Sequence, residues 1–261
     1  MDATSATMLS VQGLNKTYPD GTRALRDIDL QIPKGQLIAV IGPSGAGKST
    51  FMRCINRLVE PTSGRIVVNG KDVTGAGRKD LRRVRREIGM VFQHFNLVER
   101  LPAIRNVLHG RLGYTGSVKG ALGIFPAADV ERALEIMARV GLDQQAFKRC
   151  GDLSGGQMQR VGIARAIAQG ASLILADEPI ASLDVSSSET VMRILKEVAV
   201  AEQITTVVNL HQVEFAVEFA DRIVGLRDGQ KFFDVPNDGL DQQAVRDLYY
   251  GRVPEAAAEG S

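Results

Sequence analysis

The stretch Gly42–Thr50 (GPSGAGKST) sets three glycines, a lysine and two adjacent hydroxyls in the spacing G-x-x-x-x-G-K-[ST]. Gly42, Gly45 and Gly47, spaced by Pro43, Ser44 and Ala46, leave backbone N–H groups free to point at phosphate oxygens. Lys48 is placed to reach a β- and γ-phosphate, and the Ser49 hydroxyl to bind Mg²⁺ next to Thr50. Two further positions have the chemistry to act on such a ligand. Asp177 and Glu178 follow the apolar run Leu173–Ala176 (LILA), and His211 follows Thr205–Leu210 (TTVVNL). Side chains at the carboxyl ends of parallel strands face the crevice where α/β sheets bind ligands. There Asp177 can hold Mg²⁺, Glu178 can polarise an attacking water as general base, and His211 can contact the γ-phosphate.

The elements that must carry these groups follow from the same pattern. Leu37–Ile41 (LIAVI), closed by Gly35 and Gly42, reads as a fully buried strand, and Phe51–Leu58 as a helix after the loop. Ile88–Phe92 (IGMVF), Leu173–Ala176 and Thr205–Leu210 read as further core strands, the last two each preceded by a helix, which is βαβ order and implies a parallel sheet. From Leu9 to Ile32 short apolar and polar runs alternate around Tyr18-Pro19-Asp20-Gly21, as in an antiparallel β layer. Arg65–Val68 with Asn69-Gly70 adds a hairpin to it. From Asn96 to Gly151 the spacing turns helical, as in Val130–Val140, with Gly- and Pro-bearing loops over Tyr114–Pro126. Met158–Gln169 reads as a helix, Gly225–Val235 as a short hairpin and Gln242–Tyr250 as a closing helix.

With 261 residues the chain can bury the core of one large domain, or of one domain with an inserted lobe. Its 32 basic and 30 acidic side chains leave a net charge of +2, which implies no general polyanion partner. The basic run Arg78–Arg86 (RKDLRRVRR) therefore reads as a solvated helix face, so nucleic acid is not expected as a partner. No window approaches the roughly 18 apolar residues of a membrane helix. The opening MDATSATM carries no leader pattern, so a cytoplasmic location is expected. Cys54 and Cys150 match no metal or redox spacing. The tail Pro254–Ser261 (PEAAAEGS) reads as frayed.

Leu153–Gln157 (LSGGQ), leading into the Met158–Gln169 helix, resembles the signature of the ATP-binding cassette (ABC) proteins, and the resemblance covers nearly the whole chain. It implies an α/β fold: a P-loop NTPase core of ABC type with a parallel sheet, an N-terminal antiparallel β subdomain and an inserted α-helical subdomain. One ATP-binding domain is expected over 8–251, with the core and β subdomain over about 8–95 and 166–251, the helical subdomain over about 96–165, and a flexible tail over 252–261. The resemblance makes Tyr18 the aromatic that stacks on adenine and Gln93 the glutamine that binds Mg²⁺ and the attacking water. It makes Ser182-Leu183-Asp184 the loop after the catalytic acid and His211 the switch histidine. Ser154, Gly155, Gly156 and Gln157 stand at a helix start, where a hydroxyl and open N–H groups form an anion site. In this family that site faces the ATP held by a second copy, head to tail.

Local phrases narrow the resemblance to the phosphonate-import ATPases: Cys54–Leu58 (CINRL), Phe95–Leu101 (FNLVERL), Gly110–Tyr114 (GRLGY), Leu122–Pro126 (LGIFP) and Asn209–Gln212 (NLHQ). The implied assembly is a homodimer at the cytoplasmic face of the bacterial inner membrane, bound to separate permease subunits and fed by a solute-binding protein. The implied cargo is phosphonate, or related phosphite or phosphate. The alternatives are an importer ATPase for another small solute such as polar amino acids, a soluble ABC ATPase without a transporter, and a nucleotide-binding module that does not hydrolyse ATP.

Overall fold

The computed structural model describes residues 7–250; the expected flexible tail over 252–261 lies outside them. The chain divides into two compact units, Met1–Gly75 with Thr205–Ser261, and Ala76–Ile204.

The first unit opens with β1 (Thr7–Thr17) and β2 (Arg23–Pro33), antiparallel, with Leu9 opposite Ile32 and Val11 opposite Leu30. The two are longer and more continuous than the short alternating runs suggest, because irregular register at Val11–Leu14 lets one ribbon keep Val11, Leu14, Ile28 and Leu30 all buried. β3 (Leu37–Ile41) is buried at every position. Each of its larger side chains contributes about 2 kcal/mol of burial. α1 (Lys48–Ile55) follows the glycine loop and starts three residues before the expected helix, since the loop itself turns into the first helical residue. β4 (Ser63–Val68) pairs with β1, and β5 (Lys71–Asp72) folds back on β4 around Asn69-Gly70.

In the second unit α2 (Arg78–Arg86) buries only Val84 and leaves Arg78, Lys79, Arg82, Arg83 and Arg86 exposed. β6 (Ile88–Phe92) leads to α3 (Ala103–Leu108), α4 (Ser117–Ala121), α5 (Ala127–Arg139) and α6 (Gly155–Ala168). α4 lies inside the stretch read as loop; at five residues it is too short to show a periodic apolar stripe. β7 (Leu173–Asp177) pairs with β6 in parallel, and α7 (Val185–Ala201) closes the unit.

The chain then returns to the first unit through β8 (Thr205–Leu210), α8 (Val213–Phe219), β9 (Arg222–Arg227), β10 (Gln230–Pro236) and α9 (Gln242–Tyr250). β3 lies between β8 and β9, parallel to both, while β10 runs antiparallel to β9. Among the described residues no helix is long and apolar enough to cross a membrane.

Candidate functional site

In the first unit, β3 delivers its chain to Gly42 with Ile41 opposite Leu210 on one side and Gly225 on the other. The loop is clamped so closely that a Cβ at Gly42 would stand 2.2 Å from the Leu226 carbonyl oxygen, and one at Gly47 2.4 Å from that of Ala24. Gly47 also has φ 97°, a conformation L-residues avoid. It is the N-cap of α1, with no side-chain cap and no acidic residue in the first turn. The positive end of the helix is therefore left for an anion. The Gly45 and Gly47 amides take no partner among the described residues. Lys48 is only 4% exposed, and its Nζ donates to the carbonyls of Gly42 at 2.7 Å and Pro43 at 3.1 Å. The ammonium is thus held inside its own loop, while Ser44 and Gly45 form the exposed rim.

Two neighbours orient the hydroxyls. Asn209, fully buried on β8, donates its Nδ2 to Ser49 Oγ at 3.4 Å. Sequence reasoning did not give Asn209 this place, although a lone amide in the apolar run TTVVNL was the available signal. The Tyr18 hydroxyl lies 3.3 Å from Thr50 Oγ1. Lys16 Nζ sits 5.0 Å over one face of the Tyr18 ring, a cation–π contact that helps to fix the ring. His211 is exposed, one residue past the end of β8.

In the second unit, β6 and β7 end in register, with Phe92 opposite Asp177. Gln93 and Glu178 are therefore the next residues out from the same end of the pair. β7 runs one residue beyond the expected Ala176, so Asp177 belongs to the strand and is 5% exposed. Glu178 has φ 52°, a left-handed conformation in a non-glycine residue that also precedes a proline. Such strain costs about 1–3 kcal/mol and collects at functional positions. The turn that holds it carries bonds from Ala181 N to Glu178 O at 3.3 Å and from Leu183 N to Ile180 O at 3.2 Å, with Ile180 buried.

The signature segment starts α6 with a capping box. Ser154 Oγ accepts from the Gln157 amide at 3.3 Å, and Gln157 Oε1 accepts from the Ser154 amide at 3.0 Å. Gly156 lies against the start of α7, where a Cβ would come 2.8 Å from Ser187 Oγ. Asp184 caps α7: Oδ1 accepts from Ser187 N at 2.9 Å and Ser186 Oγ at 2.7 Å, and Oδ2 from Ser187 Oγ at 2.7 Å. The Ser187 and Ser186 hydroxyls, then the Ser187 amide, hold its carboxyl below the usual range. A small concavity of about 130 Å³, bordered by Ser154, Gln157, Ser186 and Thr190, opens between the two helix starts.

Neither cysteine takes part. Burial raises the thiol of Cys54 to about 12 and that of Cys150 to about 11, so both stay neutral at physiological pH.

Comparison with known proteins adds three findings. The family described as ABC transporter matches residues 25–181. The chain is 59% identical over 242 residues to "Phosphonates import ATP-binding protein PhnC 2" of Halalkalibacterium halodurans, covering 93% of this chain and 99% of that protein. It is 47% identical over 254 residues to "Phosphonates import ATP-binding protein PhnC" of Treponema denticola, covering 97% and 99%. A solved structure of the ATP-binding cassette MJ0796, dimeric, post-hydrolysis and bound to ADP and Pi, superposes with a TM-score of 0.77 at 35% identity, covering 89% of this chain and all of that one. A family match over more than half the chain and two near-full-length relatives leave one assignment: the chain belongs to the ABC transporter family, as one of its ATP-binding proteins.

Proposed function

We propose that this protein is the ATP-hydrolysing subunit of a bacterial phosphonate importer, acting as one ATP-binding domain over residues 8–251. The observation that carries the cargo is the 59% identity, over nearly the full length of both chains, to a protein named for phosphonate import.

The roles proposed for its residues follow from their chemistry. The Gly42–Thr50 loop takes the triphosphate, with Lys48 on the β- and γ-phosphates and Tyr18 against the adenine. Ser49, Gln93 and Asp177 are a hydroxyl, an amide oxygen and a carboxylate, the hard oxygen donors Mg²⁺ prefers, and would hold it. When bound, Mg²⁺ neutralises charge developing on the phosphates. Glu178 takes a proton from the water that attacks the γ-phosphorus, ADP leaves, and His211 contacts the phosphate being transferred. Ser154, Gly155, Gly156 and Gln157 of one copy close on the nucleotide held by a second, and Asp184 holds the start of α7 beside them. The dimeric state of the MJ0796 cassette supports this pairing.

Membrane permease subunits are the proposed partners, at the cytoplasmic face of the inner membrane, with a solute-binding protein upstream. The exposed apolar side chains Val118, Leu122 and Ile124 support a protein partner for the helical part. The test is reconstitution with the permease encoded beside this gene, reading ATP hydrolysis against a panel of solutes presented on the binding protein. Stimulation by phosphonates over phosphite, phosphate and polar amino acids is expected. Stimulation by an amino acid alone would reassign the cargo.

A further inference from the structure

A concavity of about 570 Å³ in the second unit contains none of the residues discussed so far as nucleotide ligands. Arg82, Arg85 and Arg86 from α2 line it together with His109, Thr115 and Gln169, and no carboxylate does. The end of α2 and the Arg86 side chain are held in place. Gln169 Nε2 donates to the carbonyls of Arg85, Arg86 and Ile88 at 2.8, 3.0 and 2.9 Å, which ties down the end of α2. Asp129 grips Arg111 at 3.0 Å, Arg111 lies 4.3 Å over the Tyr114 ring, and Arg86 lies 5.0 Å over the same ring. Burial, then repulsion from Arg165 and Arg105, holds His109 below the usual imidazole value, so the surroundings are electropositive even with that ring neutral.

We propose that this pocket binds a small dianion of the phosphate type, an organic phosphate or phosphonate, between the α2 guanidinium groups and the His109–Thr115 wall. Guanidinium forks pair bidentately with phosphoryl oxygens, and the Thr115 hydroxyl and His109 ring supply directional partners. The volume falls in the range of small-molecule sites and exceeds a bare oxyanion, so an organic substituent fits beside Leu112. A concave site of this size suits a small ligand better than a nucleic-acid backbone, which needs a long basic track. The proposal stands whether or not the cargo is phosphonate.

The test is calorimetric titration of the full chain with methylphosphonate, glycerol 3-phosphate and inorganic phosphate at low ionic strength. A Lys48→Ala background removes binding through the glycine loop. Saturable binding is expected there, weakened about tenfold or more by Arg82→Gln with Arg86→Gln, and unchanged by Arg83→Gln, whose guanidinium pairs with Asp80 outside the pocket. Melting curves of the variants report whether each is folded. Binding that disappears with Lys48→Ala, or that ignores the Arg82/Arg86 pair, overturns the proposal. Binding to phosphatidylglycerol vesicles with none to the soluble probes also overturns it and assigns the patch to lipid headgroups.

Discussion

Lys48 shows how a single side chain is committed to one task. Burying an ammonium is costly unless it is well bonded, and here two loop carbonyls supply the bonds at 2.7 and 3.1 Å. The same carbonyls keep the charge at the mouth of the glycine loop, where a phosphate anion would gain most from it. Lys48→Ala should lower ATP hydrolysis about 10²-fold or more while leaving the protein folded, as read by phosphate release and a melting curve. Turnover within about tenfold of the parent protein would exclude Lys48 from the chemistry. Glu178 is the opposite case, since its backbone rather than its bonding is out of the ordinary. The left-handed φ before a proline is strain that the turn down to Leu183 must hold.

At the scale of elements, two helix starts, α6 and α7, present their N-termini side by side, each with its own cap. Ser154→Ala removes the hydroxyl half of the capping box and should cost about 1 kcal/mol, a fall in melting temperature of roughly 2–4 °C. An unchanged melting curve would show that the Gln157 half suffices. The α7 cap has a charge as well. Because the folded state holds the Asp184 carboxyl below its unfolded value, its contribution is complete above the ordinary carboxylate range. That contribution is lost as pH falls through the range towards the lower folded value. Asp184→Asn keeps a capping oxygen but no charge, so it should be less stable than the parent at neutral pH and approach the parent in acid. Its fall between about pH 4 and pH 2 should be shallower, as followed by denaturant midpoints. Parallel acid-side curves for the two proteins would sink this account of the cap.

At the scale of the whole molecule, the α6 start carries a serine and two glycines whose chemistry suits an anion, and within the second unit they lie against the capping box, the start of α7, Leu183 and Phe95. The proposed pairing with a second copy would give them a use. Glu178→Gln, which keeps the shape of the side chain but removes the base, should let ATP with Mg²⁺ drive the protein to a dimer in sedimentation, whereas ADP should not. Monomer alone at saturating ATP would count against the paired assembly. Association of this kind raises apparent stability by mass action, so the dimeric form should also melt at a temperature that depends on protein concentration.

The glycine loop, the helix start at the signature segment and the strand-end acids were legible in the sequence because each is a short run whose chemistry depends on local backbone geometry, and local geometry is written in adjacent residues. Leu37–Ile41, Ile88–Phe92, Thr205–Leu210 and Gln242–Tyr250 occupy the predicted positions for the same reason: apolar runs and periods are one-dimensional signals. What only the folded chain decided were meetings between residues far apart in sequence. Asn209 reaches Ser49, Ala24 and Leu226 close on Gly47 and Gly42, and Gln169 ties the end of α2. No spacing rule encodes these, since each depends on how elements distant in the chain pack within a unit. The left-handed turn at Glu178 belongs with them: its residue type argues against that conformation, and the packing of the turn around Ile180 imposes it.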